Sequence, residues 1–264
     1  MKEEQLRRLA VALTVMAVLA GAGAAYAAIN TYTASMKFTS TQAGTAAKPV
    51  PIGYTETLKV TGTDGNRAGV QSIISTKIYG LVEDGKDFPT CSLSKIANAG
   101  KDTVCPKGAE VATGFITATL GSSTDFKVPG SACDPQLDVW NSGQGKLTFF
   151  FVDTPTHQCL GGALHTGSTG PYPATYKQVG KYLQFTVKTP DYINYPVPGQ
   201  VGSLESEQLT YFKRTRKVHG KTVEITSSIG CKGNTRPYSA TFTSTLPPAG
   251  PATETDTVSK KAPC

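Results

Sequence analysis

Residues 110–120 read EVATGFITATL, with apolar and polar side chains alternating. A period of two is the signature of a β-strand that turns one face to a core. The same alternation recurs over residues 34–40, 56–61, 70–79, 146–152, 182–188, 209–216, 222–228, 239–245 and 253–260. Turn chemistry separates these runs: Thr63-Asp64-Gly65-Asn66, Asn141-Ser142-Gly143-Gln144-Gly145, His219-Gly220 and Gly233-Asn234. Gly, Pro and Thr are frequent, Met and Trp are scarce, and strong helix-forming runs are missing. The spacing predicts an all-β fold, an antiparallel β-sandwich built as one large or two abutting sandwiches. Residues 28–125 would form a first unit and 126–264 a second, packed on it. No repeat of solenoid period is present.

The first 30 residues, MKEEQLRRLAVALTVMAVLAGAGAAYAAIN, have the three parts of a secretory signal. Lys2, Arg7 and Arg8 make a basic start, an apolar run follows from Leu9, and Ala25-Tyr26-Ala27 is a small-residue cleavage site. Cleavage after Ala27 is the expectation; the rival is an uncleaved anchor, since residues 9–28 are about long enough to span a bilayer. No Cys follows the apolar run, which argues against a lipoprotein anchor, and Arg7-Arg8 lacks the rest of a twin-arginine signal. Leu246-Pro247-Pro248-Ala249-Gly250 looks like a wall-sorting motif, but the polar PATETDTVSKKAPC behind it does not suit one. After signal cleavage no membrane span is expected.

The whole chain carries a net charge of +7; residues 1–27 hold three basic and two acidic side chains, so the remaining 237 residues carry +6. That is too dilute for a nucleic-acid binder. All six cysteines, Cys91, Cys105, Cys133, Cys159, Cys231 and Cys264, lie beyond the signal. An even number in an exported chain predicts three disulfides in an oxidising compartment. A zinc site or a thioredoxin-like redox pair wants CxxC, and none occurs. Asp153, His157, Cys159 and His165 form the nearest metal-like cluster, with a spacing that fits no standard site. No metal and no cofactor are expected.

Six cysteines allow fifteen connectivities. The sequential one is preferred, because each pair then flanks its own hairpin or helix. In FPTCSLSKIANAGKDTVCPKGAEV, residues 88–111, Thr90 or Ser92 can cap a short helix near residues 92–98, and Gly100 can stop it. Cys91 with Cys105 would staple that unit. Cys133 with Cys159 would tie the arms around a Gly-rich hairpin tip, and Cys231 with Cys264 would hold the last strand.

Several blocks together resemble a family of uncharacterised secreted β-rich, disulfide-containing proteins of soil actinobacteria. They are the early TQAGTAAKPV, the FPTC…CPKGAEVATGFITATL block, the WNSGQGKLTFFFV hairpin and a late Gly-Cys paired with a terminal Cys. The resemblance spans most of the chain beyond the signal and implies an exported β fold. It brings no activity with it.

Signatures of chemistry are sparse. There is no G-x-S-x-G; Gly167-Ser168-Thr169-Gly170 with nearby His165 reads as a polar loop. Glu205, Glu207, Asp134 and Asp138 have no context that marks a carboxylate pair, so they read as solvated surface. Asp153-Thr154 lacks the Gly of an aspartic protease motif, and neither phosphate-loop nor dinucleotide fingerprints occur. No enzyme activity is expected. Tyr172, Tyr176, Tyr182, Tyr192 and Tyr195 cluster, and exposed tyrosines can stack on sugar rings. Tyr192 and Tyr195 are the candidate contacts, while Trp140 reads as packing.

In YFKRTRKVHGKTVEI, residues 211–225, charge falls on both faces of a strand. Unpaired buried cations are costly, so the strand should leave the core near Lys213 and project as a hairpin turning at His219-Gly220. Its cations, with Arg214, Arg216 and Lys217 foremost, could attract anionic cell-wall polysaccharide. The sequence therefore points to a secreted or extracellular, non-catalytic β-sandwich with a structural or adhesive role at the cell envelope. The alternatives are a carbohydrate-binding module using the Tyr-rich loops and a secreted hydrolase with an unrecognised site.

Overall fold

The computed structural model describes residues 29–159, 170–245 and 253–264. The signal segment, His165, Ser168 and the Leu246–Gly250 motif therefore lie outside the described residues. Among the described residues seventeen strands occur in chain order: β1 (Asn30–Phe38), β2 (Val50–Pro51), β3 (Tyr54–Gly62), β4 (Val70–Tyr79), β5 (Leu81–Glu83), β6 (Glu110–Ser122), β7 (Ser131–Ala132), β8 (Gln136–Asn141), β9 (Lys146–Val152), β10 (Tyr172–Val179), β11 (Tyr182–Lys188), β12 (Gln200–Tyr211), β13 (Thr215–Val218), β14 (Lys221–Glu224), β15 (Thr226–Ser228), β16 (Thr235–Thr245) and β17 (Thr253–Pro263). Two short helices accompany them, α1 (Leu93–Ala99) and α2 (Asp191–Asn194).

Eleven strands pair in one continuous antiparallel sheet in the order β1-β3-β12-β6-β8-β9-β10-β11-β4-β16-β17, and β7 adds to β6. Where the sequence predicts a sandwich, the strands curl in one sheet that nearly closes as a barrel. Both architectures bury one face of every strand, so the period of two suits either. Strands from residues 28–125 and 126–264 interleave: β12 lies between β3 and β6, and β4 between β11 and β16. The odd count leaves β1 and β17 pointing the same way at the seam. Among the described residues no backbone ladder joins them. The Ile29 N–H, just before β1, donates to Glu254 of β17, and Tyr32 of β1 reaches inside past β17 to β16, stacking on Phe242 at 4.6 Å with its hydroxyl 2.6 Å from that of Ser244.

The interior is built by alternation. Tyr54, Leu58 and Val60 of β3, Ile116, Ala118 and Leu120 of β6, and Leu209 and Tyr211 of β12 all turn inward and are buried. Tyr54 stacks on Tyr211 at 4.5 Å. Gly114 lets β12 come close, because a Cβ there would lie 1.8 Å from the Gln208 carbonyl oxygen. The apolar run of β9 has a different cause: both its faces are covered. Leu147, Phe149 and Phe151 join the barrel core, while Phe150 packs outward with Cys91, Ile96 and Ala109. A strand buried on both sides loses the alternation.

That outer cover is the stapled unit read from residues 88–111. Ser92 caps α1, its hydroxyl accepting from the Lys95 N–H at 3.2 Å, and Gly100 ends the helix at φ 64°. Cys91 is joined to Cys105, Cys133 to Cys159 and Cys231 to Cys264, which is the sequential pairing. Trp140 packs against the stapled unit.

The basic segment forms its own two-stranded ribbon, β13 with β14. His219 at φ 48° and Gly220 at φ 78° make the turn, a left-handed pair that suits a two-residue hairpin loop.

Candidate functional site

One end of the barrel holds a cavity of about 90 Å³. Its wall is mostly apolar: Ile74 of β4, Ile116 and Leu120 of β6, Phe151 of β9, Val187 of β11 and Leu204 of β12. The Cys133–Cys159 bridge and the α2 residues Ile193 and Asn194 lie at its margin. Two polar side chains of the lining are already bonded: the Asn194 amide donates to the Thr189 carbonyl, and Gln71 is held between Gly69 and Ser244.

Glu207 is the acid in this wall. The residues around it explain its environment. Glu207, Leu209 and Tyr211 share the inward face of β12, just past a bulge where the register shifts between Leu204 and Ser206. On β3, Glu56 shares the inward face with Tyr54 and Leu58. Leu58 pairs with Glu207 and Glu56 with Leu209, so the two acids are diagonal neighbours across the ladder. Such positions are about 7–8 Å apart. Glu56 accepts a hydrogen bond from the Thr76 hydroxyl at 2.7 Å. Glu207 has no hydrogen-bond partner among the described residues; it lines the cavity and is partly exposed.

Both carboxyls hold their protons unusually tightly. Burial, and then the nearby Glu56, pushes Glu207 up to about 8. Burial raises Glu56 to about 7 against the opposing Thr76 hydrogen bond. Glu83 of β5, also buried, is raised to about 8 with a Thr226 hydrogen bond opposing. Burial first, then these acids, drives the Tyr211 phenol well above its ordinary value.

A second acidic pair sits outside the barrel, under the stapled unit. Asp102 and Asp138 are both buried. Burial first, then the Asp138 charge and a hydrogen bond between the two carboxyls, raises Asp102 to about 6. Asp138 also accepts from the Thr113 hydroxyl at 2.5 Å and from the Gln136 amide at 2.9 Å. These bonds account for the pair as a satisfied structural network. Asp138 and Glu207 are thus interior groups, not the solvated surface the sequence suggests. Asp134 accepts from the Ala118 N–H, and Glu205 stands at the β12 bulge.

The remaining sequence candidates separate into two places. Tyr192 and Tyr195 are 44% and 41% exposed at and just after α2, beside the cavity end, and Tyr192 donates to the Pro171 carbonyl at 3.0 Å. Tyr172 and Tyr176 are core residues, and Tyr182 meets Tyr79 edge-on. Arg214, Arg216 and Lys217 lie beyond the far end of β12, a strand about 37 Å long. Arg214 is half-buried, with Glu110 at 3.7 Å and its guanidinium over Phe212. Arg216 is exposed and donates to the Asp87 carbonyl at 2.6 Å, and Lys217 donates to Thr222 at 2.7 Å. His157 stacks on Phe115, and Cys159 is bridged. Among the described residues no group of three His, Cys, Asp or Glu is arranged to hold a metal, and no helix is long and apolar enough to cross a membrane.

The inward-facing acids Glu56 and Glu207 were missed by sequence reasoning. The signal was available: an acid in phase with Tyr54 and Leu58, and another in phase with Leu209 and Tyr211, must share their inward face. The chain was also compared with family models, curated proteins and solved structures, and it matches none of them.

Proposed function

We propose that this protein is exported by a signal peptide over residues 1–27 and works without a catalytic step. Its role in this reading is structural or adhesive, at or outside the cell envelope, with anionic wall polysaccharide as partner. The carrying observation is the β13–β14 ribbon, which stands off the main sheet with Lys213, Arg216, Lys217 and Lys221 exposed. Three disulfides fit the oxidising surroundings that such a role requires. The resemblance to secreted actinobacterial proteins supports the same compartment. Contact through exposed cations is electrostatic and screened, so it should fade as salt approaches a few hundred millimolar. Arg214 is engaged with Glu110 and Phe212 and contributes least. Pull-down on purified cell walls tests the reading, using wild type and a variant with Lys213, Arg216, Lys217 and Lys221 changed to Gln. Binding lost at high salt and in the variant is expected; retention in either refutes the electrostatic contact.

The exposed rings of Tyr192 and Tyr195 favour a second reading, a carbohydrate-binding surface at the α2 end. Glycan-array binding abolished by Tyr192→Ala and Tyr195→Ala would establish it. Turnover of an ester or glycoside panel would overturn the non-catalytic reading.

A further inference from the structure

The cavity at the α2 end joins three properties that a barrel core does not need for stability. It leaves space where cores are ordinarily close-packed. It holds a carboxyl group, Glu207, with no hydrogen-bond partner among the described residues. A second acid, Glu56, is its diagonal neighbour, and no cation among the described residues lines the cavity. The buried cation of the barrel, Arg236, is committed elsewhere: it donates to the Gly80 carbonyl at 3.2 Å and to the Ser228 hydroxyl at 2.7 Å, and lies over Phe38. An acid enclosed beside another keeps its proton unless a cation comes to pair with it.

We propose that this cavity is a binding site for a short alkylammonium group, whose nitrogen donates to the Glu207 carboxylate and whose carbons lie against Ile74, Ile116, Leu120, Phe151 and Val187. Charge selects the class: among the described residues the wall offers an acid acceptor and apolar surface, and no positive group that would hold an anion. Size selects the length. An apolar cavity of about 150 Å³ takes benzene, so about 90 Å³ suits roughly four heavy atoms. Propylammonium has four. A ligand this small is limited to weak binding, in the micromolar to millimolar range.

Binding has a proton balance. The Glu207 proton leaves to solvent as the ammonium enters, and the amine keeps its own charge because alkylamines titrate near 10.4, like lysine. The titratable groups facing Glu207 are Glu56 from β3, Tyr172 from β10 and Tyr211 from its own strand, and none carries positive charge. About one proton should be released per amine bound at neutral pH. Affinity should rise about tenfold from pH 6 to pH 7 and level off above the Glu207 value of about 8.

Isothermal titration calorimetry of the disulfide-intact protein with propylammonium chloride, in buffers of different ionisation heat, measures affinity and proton release together. 1-Propanol is the neutral control of equal size. The expected result is saturable binding of propylammonium with proton release, and binding of propanol at least tenfold weaker. Glu207→Gln should lose the preference for the amine and release no proton. Should that variant fail to fold, Ala118→Leu, which fills the cavity from β6, should abolish binding of both probes. Equal affinity for amine and alcohol, amine binding without proton release, unchanged binding in either variant, or no saturable heat in the millimolar range would each overturn the proposal.

Discussion

Replacing Glu207 by Gln should make the protein more stable at alkaline pH and leave it nearly unchanged at pH 5. The folded protein holds the Glu207 proton up to about pH 8, whereas the unfolded chain releases it at about 4.5. The folded state therefore binds the extra proton between these values, and stability falls as pH rises through that window. The contribution is intact below pH 4.5 and fully lost above pH 8. That difference in proton affinity corresponds to about 5 kcal/mol, of which about 4 falls between pH 5 and 8.5. Glu56 and Glu83, raised to about 7 and about 8, push the wild type in the same direction. The difference between wild type and variant isolates Glu207. Urea unfolding with the disulfides intact, followed by Trp140 fluorescence, gives the assay. With a slope of about 3 kcal/mol per molar, the midpoint of the Gln variant should gain about 1.3 M over wild type between pH 5 and 8.5. Parallel midpoints across that range would refute the reading of Glu207 as an enclosed, protonated acid.

Removing the last bridge with Cys231→Ser and Cys264→Ser frees a loop spanning 33 residues and should cost about 4 kcal/mol, a fall in Tm of roughly 8–15 °C by calorimetry. Arg236→Ala takes its donor from the buried Ser228 hydroxyl and one of two donors from the Gly80 carbonyl, which keeps the Ile229 N–H, and should lower stability by about 2–3 kcal/mol in urea melts. Ser92→Ala removes the α1 cap and should cost about 1 kcal/mol, seen as faster amide exchange across Leu93–Ala99.

Alternation made the strands legible where one face is buried and the other wet. β4, β9 and β11 have the bounds their patterns predict. β10 escaped because Pro171 and Pro173 bracket its start and its tyrosines invite a ligand reading. Tyr172, Ala174 and Tyr176 in fact alternate inward, and Pro173 precedes the first residue paired with β11. The first half of β12 escaped because Glu205, Ser206 and Glu207 break the apolar rhythm at a bulge. The cavity was hidden for the same reason, since Glu207, the acid that marks it, was read as surface once its strand had been cut short. The curl of the sheet lies in no local pattern at all. It comes from the order in which distant strands pair, and a period of two carries no information about that order.

The Cys231–Cys264 bridge also decides how tension would travel through the molecule. A pull applied at Cys264 crosses the sulfur pair to Cys231 and enters the chain just ahead of β16. The β16–β17 hairpin is thereby removed from the line of force. The 33 residues of separation would otherwise extend by about 110 Å, and that length cannot be drawn out for as long as the bridge is oxidised. Under load, the parts of the sheet that can yield are those before Cys231. The β1–β17 seam, which has no ladder and is spanned by the Ile29–Glu254 hydrogen bond and the Tyr32 stack on Phe242 of β16, then becomes the place where β1 peels away while β17 remains docked on its neighbour.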